Sequence, residues 1–219
     1  MKLSSRFPVA AVVLAGCFTA SSVFGQNTGK DRMIEFKDIK IAVQKTPDFT
    51  LKGGTTDKRF RAKDWIEIEP EFRAIAPKNA DKNLKVISDV VFKYYVFLSG
   101  PGSADRKILT GEVTHTNISF GEVSHSVVYV TPSTILRVAG KPEGSPQLVT
   151  GCAVEATVNG EIVGFYSKLG GAATDKVSPE SKWWEKGTAP KQEADLLNKA
   201  QSPFAPLWAD YYADIKATK

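Results

Sequence analysis

The chain contains two histidines, His115 and His125, and they lie in neighbouring strand-like segments. If these segments pair as a hairpin around residues 117–122, the two rings could face each other, and a pair of imidazoles is the beginning of a metal site. A structural zinc site needs four ligands, and no third His, Cys or carboxylate stands at a spacing that would complete one. We therefore predict no metal and interpret both histidines as exposed or hydrogen-bonded.

A row of carboxylates, Glu67, Glu69 and Glu71, alternates with apolar residues within the segment 64–75. Hard cations need several carboxylate oxygens that converge on one point, and residues along one flat strand do not converge. The pattern therefore predicts a solvent-exposed strand face. Cys152 is the only cysteine beyond the N-terminal segment, and its place on an apolar strand face predicts an inert core thiol.

The catalytic and phosphate-binding patterns G-x-S-x-G, H-E-x-x-H and G-x-x-x-x-G-K-[ST] do not occur in the sequence. We therefore expect no catalytic residues, no cofactor and a protein that is not an enzyme. The formal net charge is +5 and falls to +3 without Lys2 and Arg6. Because the lysines are scattered along the chain, we interpret the charge as a solubilising surface and expect no nucleic-acid partner.

Trp183 and Trp184 stand together in a polar stretch that has no periodicity. Contiguous exposed aromatic residues often form contact surfaces, so these two are the candidate ligand-binding residues for a sugar, a peptide or a partner protein. Trp208 is a third member of this hypothetical platform. The competing interpretation is that the aromatic residues of the C-terminal region are part of the core.

Residues 1–25 have the pattern of a cleaved signal peptide: Lys2 and Arg6, then an apolar run, then small residues before Gln26. The apolar run is too short for a transmembrane helix. A second processing route is open, because Leu14-Ala15-Gly16-Cys17 resembles a bacterial lipobox whose cysteine, Cys17, would carry a lipid. The protein is therefore predicted to be exported, to the periplasm or the outer cell surface, and membrane-bound only if Cys17 is lipidated.

Asn159-Gly160 joins two strand-like segments within residues 147–168. Asn-Gly is the strongest short-range signal of a β-hairpin, because a type I′ turn needs positive φ at both central residues. Further strand-like segments begin at Ile34, with a phase slip at Asp38 that predicts a bulge, and cover residues 64–75, 86–98, 108–115 and 124–138. Their number and spacing predict a mainly β fold, an antiparallel sandwich or barrel.

The segment 86–98 is apolar on both faces and must be covered on both sides. The C-terminal region offers a cover, because five apolar residues there follow the spacing of an amphipathic helix; they are Phe204, Leu207, Trp208, Tyr211 and Ile215. A shorter helix is predicted over residues 192–200. We therefore predict a flexible lead-in over 26–32, a sandwich over 33–168, and loops and helices over 169–219 that pack on it as a clasp.

Two strings carry a family resemblance: Trp65-Ile66-Glu67-Ile68-Glu69, and Ser202 to Trp208 followed by Tyr211-Tyr212. With the signal peptide they resemble a family of small exported proteins of verrucomicrobial bacteria, gut bacteria among them. The resemblance implies an immunoglobulin-like sandwich and association with a type IV pilus-like gene cluster. Neither string is a catalytic motif, and the Cys…Trp…Cys pattern of antibody domains does not occur.

We therefore expect a non-enzymatic envelope or surface protein that acts through contacts with envelope or pilus-like proteins. The alternative is a periplasmic or surface module that binds carbohydrate or another small ligand through Trp183 and Trp184, with extracellular glycans as partners. The two hypotheses differ in what they require of the tryptophans, which must be exposed for the second.

Overall fold

The computed structural model describes residues 32–49, 61–81, 83–100 and 106–217. The predicted signal peptide, Cys17 and all of the predicted lead-in except Arg32 lie outside these residues. The strands are β1 (Ile34–Lys45), β2 (Asp64–Ala74), β3 (Val86–Ile87), β4 (Val90–Leu98), β5 (Lys107–His115), β6 (Ile118–Ser119), β7 (Val123–His125), β8 (Val128–Val130), β9 (Val149–Val158), β10 (Glu161–Leu169), β11 (Ala172–Thr174), β12 (Gln192–Ala194) and β13 (Leu196–Asn198). The helices are α1 (Pro132–Ala139) and 3₁₀ turns at Pro146–Leu148, Trp183–Glu185 and Lys199–Gln201.

The strands form two main sheets and one short ribbon. The front sheet has the order β1-β2-β8-β13, and β7 also pairs with β2. The back sheet has the order β11-β10-β9-β4-β5-β12, and β3 pairs with β6 in the ribbon. The strand pairs are antiparallel apart from β12 with β5. The prediction of a mainly β, antiparallel fold is confirmed.

One hydrophobic core lies between the two sheets. Strand β4 shows how the sequence produces it, because Phe92, Tyr94 and Val96 point into this core while Tyr95 and Phe97 point to the opposite face of the back sheet. Successive side chains of a strand alternate between faces. The double apolar pattern of β4 therefore reflects a strand that is covered on both sides, as the sequence predicts.

The Asn159-Gly160 hairpin is confirmed. Asn159 has φ 50° and Gly160 has φ 82°, and Val158 pairs with Glu161 across the two-residue turn. On the far arm of this hairpin, a Cβ atom at Gly164 would lie 2.6 Å from the carbonyl oxygen of Ile34, so only glycine lets β1 approach β10 this closely. The bulge predicted at Asp38 is also present, as a register shift between Phe36 and Asp38.

The predicted C-terminal helices are wrong. Residues 192–198 form strands β12 and β13 instead of a helix, and residues 202–215 form turns. Pro206 and a left-handed Trp208 (φ 53°) break the helical path. The backbone is instead hydrogen-bonded to the front and back sheets, through Ala213 N–H to His125 O (2.8 Å) and Lys216 N–H to Thr114 O (2.8 Å).

The one α-helix among the described residues, α1, falls where the sequence pattern predicts the end of a strand over 124–138. Its boundaries have clear local causes. Thr131 caps the first turn by accepting a hydrogen bond from Thr134 N–H, Pro132 occupies the first helical position, and Gly140 ends the helix at φ 69°. Ile135 and Val138 join the core between the sheets.

Candidate functional site

A cleft of about 590 Å³ lies on the outer face of the back sheet, where β4, β5 and β10 meet the segment 183–191. Its apolar lining consists of Phe97, Leu169, Trp183, Ala189 and Pro190, and its polar lining consists of Arg106, Lys107, Lys186, Thr188 and Lys191. A volume of this size is typical of sites for small ligands. Among the described residues, the lining combines four cationic side chains with an apolar wall and includes no carboxylate.

The cations of this basic cleft differ in their pairing. Lys107 is engaged, because its Nζ lies 3.0 Å from Glu193 Oε1. Arg106, Lys186 and Lys191 are exposed, and none of them forms an ion pair with a residue in the described part of the chain. Their charge is therefore available to an anion that enters the cleft.

The exposed platform predicted for Trp183 and Trp184 is wrong, because both rings are buried, at 6% and 2% exposure. Trp184 stacks on Tyr95 with ring centroids 4.2 Å apart, and Trp183 donates a hydrogen bond from Nε1 to Ser167 Oγ at 3.0 Å. Together they cover the outer face of the back sheet. Trp183 still contributes one wall of the basic cleft, stacked on Phe97 at 5.9 Å.

His115 lies in the core between the sheets and does not face His125. Its Nδ1 donates to the carbonyl of Asp214 at 3.1 Å, and its Nε2 accepts from Ser126 Oγ at 2.7 Å. Tyr94 Oη in turn donates to Ser126 Oγ at 2.6 Å. A Ser–His pair is the basis of acyl-transfer catalysis, but Ser126 is 0% exposed. No substrate can reach its hydroxyl in this conformation, so the chain of hydrogen bonds is structural.

Acidification is expected to destabilise the protein through His115. Burial lowers the pKa of His115 to about 4, from an ordinary value of 6.5. The unfolded chain therefore takes up the proton first, and stability is lost as the pH falls from 6.5 to about 4. The expected loss is about 3 kcal/mol. It is measured as the free energy of unfolding in urea between pH 7 and pH 4, for the wild type and for His115→Gln.

The variant serves as the control for other titrating groups. Burial raises the pKa of Glu67, so that residue binds its proton first in the folded state and opposes the loss. Its contribution is the same in both proteins and cancels in their difference. The stability advantage of the wild type should therefore shrink by about 3 kcal/mol on acidification; parallel pH profiles would contradict the role given to His115.

The acidic row on β2 is not a solvent-exposed face, because Glu67 and Glu69 are only 5% and 8% exposed. The C-terminal strap, residues 199–217, covers them. Glu69 accepts hydrogen bonds from Tyr211 Oη (2.9 Å) and Tyr212 Oη (3.1 Å), and His125 Nδ1 lies 3.2 Å from its Oε1. Glu71 instead pairs with the exposed Lys37. Glu69 is therefore a buried anchoring site for the strap.

Within the residues that the structure describes, no group of three or more His, Cys, Asp or Glu side chains is arranged to hold a metal ion. The core thiol predicted at Cys152 is confirmed, since the residue is free and 1% exposed. Burial raises the pKa of this thiol to about 12, which keeps it protonated and unreactive at neutral pH.

An exposed aromatic pair, Trp208 and Tyr211, stands on the outer surface of the strap, at 46% and 45% exposure. Both rings are held from below. Trp208 stacks on Phe204 with centroids 6.3 Å apart, and Tyr211 stacks on His125 at 4.1 Å. Trp208 has φ 53°, a conformation that costs a bulky residue about 1–3 kcal/mol and is found preferentially at functional sites. The pair is thus a rigid apolar patch.

A protein-family model matches residues 25–219, which is the whole chain beyond the predicted signal peptide. The chain belongs to this family. It is also similar to a crystal structure of a protein from Akkermansia muciniphila, with a TM-score of 0.70 and 25% sequence identity over 85% of this chain and 94% of that chain. No curated protein matches the chain. The predicted likeness to a verrucomicrobial protein is confirmed by the structural match.

Two features of this fold were not predicted correctly from the sequence. The basic cleft collects residues from β4, β5, β10 and the segment 183–191, which are far apart in sequence. The aromatic pair on the strap is visible in the sequence, but a helical spacing assigns it to the core. Among the described residues, no helix has the length and apolar character needed to span a bilayer.

Proposed function

We propose that this chain is a non-catalytic, exported protein of the cell envelope or surface, built as an immunoglobulin-like sandwich, that acts through protein–protein contacts. Its partners are envelope or pilus-like proteins. The predicted export signal in residues 1–25 and the similarity to a verrucomicrobial protein support this proposal. In the described residues, the one Ser–His pair within hydrogen-bonding distance is sealed inside the core.

The observation that carries the proposal is the exposed pair Trp208 and Tyr211. Tryptophan and tyrosine are the residues most enriched at the energetic centres of protein interfaces, because they offer a large contact area and lose little side-chain entropy. Here that entropy is already lost, since both rings are stacked and Tyr211 is hydrogen-bonded to Glu69. A partner would therefore meet a pre-organised surface.

The test is photo-crosslinking in cells of the native host. A photoreactive phenylalanine replaces Trp208 in one variant, and in the control variant it replaces Val177, which is 41% exposed and lies outside the strap. We expect position 208, and not position 177, to capture one envelope or pilus-like protein. Recovery of uncoupled monomer from both variants, or the same proteins from both, would refute the contact role of the patch.

The second candidate function is carbohydrate or small-ligand binding, and the basic cleft favours it. Trp183 contributes a wall to the cleft, whereas Trp184 lies beneath the wall and supports it. The cleft is on the back sheet and the aromatic pair covers the front sheet, so the two functions use different surfaces and are compatible.

A further inference from the structure

We propose that the basic cleft is a binding site for an anionic saccharide, one that carries sulfate or carboxylate groups on its sugar rings. This inference rests on the second candidate function and gives it a location and a ligand class. It is independent of the protein-contact role of the front sheet.

The charge of the lining selects an anion. Arg106, Lys186 and Lys191 are exposed and form no ion pair within the described chain, whereas neighbouring cations are neutralised. Lys107 pairs with Glu193 at 3.0 Å, and the same carboxylate binds Arg137 at 2.7 Å. Cations that converge on a cleft and are not held in close ion pairs are attractive to a sulfate or carboxylate, and arginine can bind such a group with two parallel hydrogen bonds.

The wall of the cleft suits a sugar ring. Trp183 and Phe97 stack at 5.9 Å, and Leu169 and Pro190 extend the apolar surface beside them. The wall is rigid, because the Trp183 indole donates to Ser167 Oγ inside the fold. The loop opposite is fastened to the sheet, through Ile108 N–H to Lys191 O at 3.4 Å. A pre-organised apolar wall with a few polar groups is the usual form of a small-ligand site.

The strands around the cleft argue against an acidic peptide. Extended peptides bind by adding a strand to a free sheet edge. Strand β5, which carries Lys107, is paired with β4 on one side and β12 on the other. Strand β4, which carries Phe97, is paired with β5 and β9. A peptide in the cleft would find no free edge on β4, and none on β5 at residues 108–110, where β12 is paired with it. The free edge of the back sheet on this side is the outer side of the three-residue strand β12.

Nucleic acid is disfavoured by the aromatic residues. Single strands bind by stacking successive bases on exposed rings along a continuous basic groove. Trp183 is only 6% exposed, so it offers part of its surface as a wall and not a whole face for a base. A compact anionic sugar needs only that wall and the cations around it.

The test uses calorimetric titration of the mature chain with a sulfated heparin disaccharide, with neutral lactose and with inorganic sulfate, at low and at physiological salt. We expect the heparin disaccharide to bind, to quench tryptophan fluorescence and to weaken severalfold as salt screens the cations. Lactose should bind at least tenfold more weakly. Binding of inorganic sulfate as tight as that of the disaccharide would overturn the saccharide assignment. Hexaglutamate and an oligothymidylate are titrated as an acidic peptide and a single-stranded nucleic acid, and tighter binding of either one would overturn the assignment too.

Matched charge variants locate the site. Arg106→Ala with Lys186→Ala removes two cations from the cleft, and Lys78→Ala with Lys141→Ala removes two exposed cations elsewhere. We expect the first double variant to lose at least tenfold in affinity for the heparin disaccharide and the second to lose less than twofold. Equal losses would show that net charge alone attracts the ligand and would overturn the proposal, as would the absence of any binding. Neither result would affect the crosslinking test at position 208.

Discussion

Truncation of the chain after Ser202 is expected to lower the free energy of unfolding by at least about 4 kcal/mol. The segment that is removed contains Phe204, which is 1% exposed and stacks on Tyr129 with ring centroids 4.6 Å apart. Its loss would also strip Glu69 of two tyrosine hydrogen bonds and leave a buried carboxylate row open to water. Since a domain of this kind is stabilised by about 5–15 kcal/mol in total, the truncated chain should melt far below the wild type.

Two point variants separate packing from chain length. Phe204→Ala removes one buried ring and should cost about 3–5 kcal/mol. Leu136→Ala removes a side chain that is 50% exposed on α1 and should cost less than about 1 kcal/mol. Thermal and urea unfolding of the four proteins gives the comparison. If the truncated chain melted with the wild type, the strap would not belong to the folded unit.

The local parts of this fold could be predicted because the alternation of apolar and polar residues along a strand shows which of its faces is buried. The Asn159-Gly160 turn requires positive φ at two positions, and few dipeptides allow it, so these two residues are enough to predict the hairpin. Strand β4 has large apolar residues on both sides, and this pattern predicts that both of its faces are covered. In each case the decisive interaction lies within a few residues of the signal.

The errors arise where the decisive interaction is distant in sequence. Five apolar residues of the strap have a spacing that fits a helix; they are Phe204, Leu207, Trp208, Tyr211 and Ile215. The strap is instead stabilised by backbone bridges to the ends of strands, from Tyr212 to His125 and from Ile215 to His115. Glu67 and Glu69 look solvated for the same reason, since nothing near them in sequence shows that tyrosines 142 and 143 residues away will cover Glu69. Helix α1 is different, because the residues that cap it, Thr131-Pro132 and Gly140, are close in sequence, but the strand-like pattern over 124–138 does not point to them.

The candidate sites show the same division. The sequence draws attention to Trp183 and Trp184 but predicts that they are exposed, whereas they are buried. The groups that bury them lie on strands of the back sheet: Ser167 Oγ accepts the hydrogen bond of Trp183, and Tyr95 stacks on Trp184. The basic cleft depends on the pairing of β5 with β12, which brings Arg106 and Lys191 to one edge. Scattered lysines in a sequence do not reveal which of them converge.

Trp184→Ala is expected to lower the free energy of unfolding by about 3–5 kcal/mol, which is the cost of deleting a large buried ring. The ring is 2% exposed, stacks on Tyr95 at an interplanar angle of 16° and supports Trp183 edge to face at 5.2 Å. Trp184→Phe should cost less because part of the stack is kept, and Trp208→Ala, at a ring that is 46% exposed, should cost less than about 1 kcal/mol. Urea unfolding followed by circular dichroism ranks the three variants. A Trp184→Ala protein as stable as the wild type would mean that the ring is not part of the core, and the prediction of an exposed tryptophan platform would stand again. The expected loss of stability means that Trp184 does not contact a bound saccharide and supports its binding only indirectly, by holding Trp183 at the wall of the cleft.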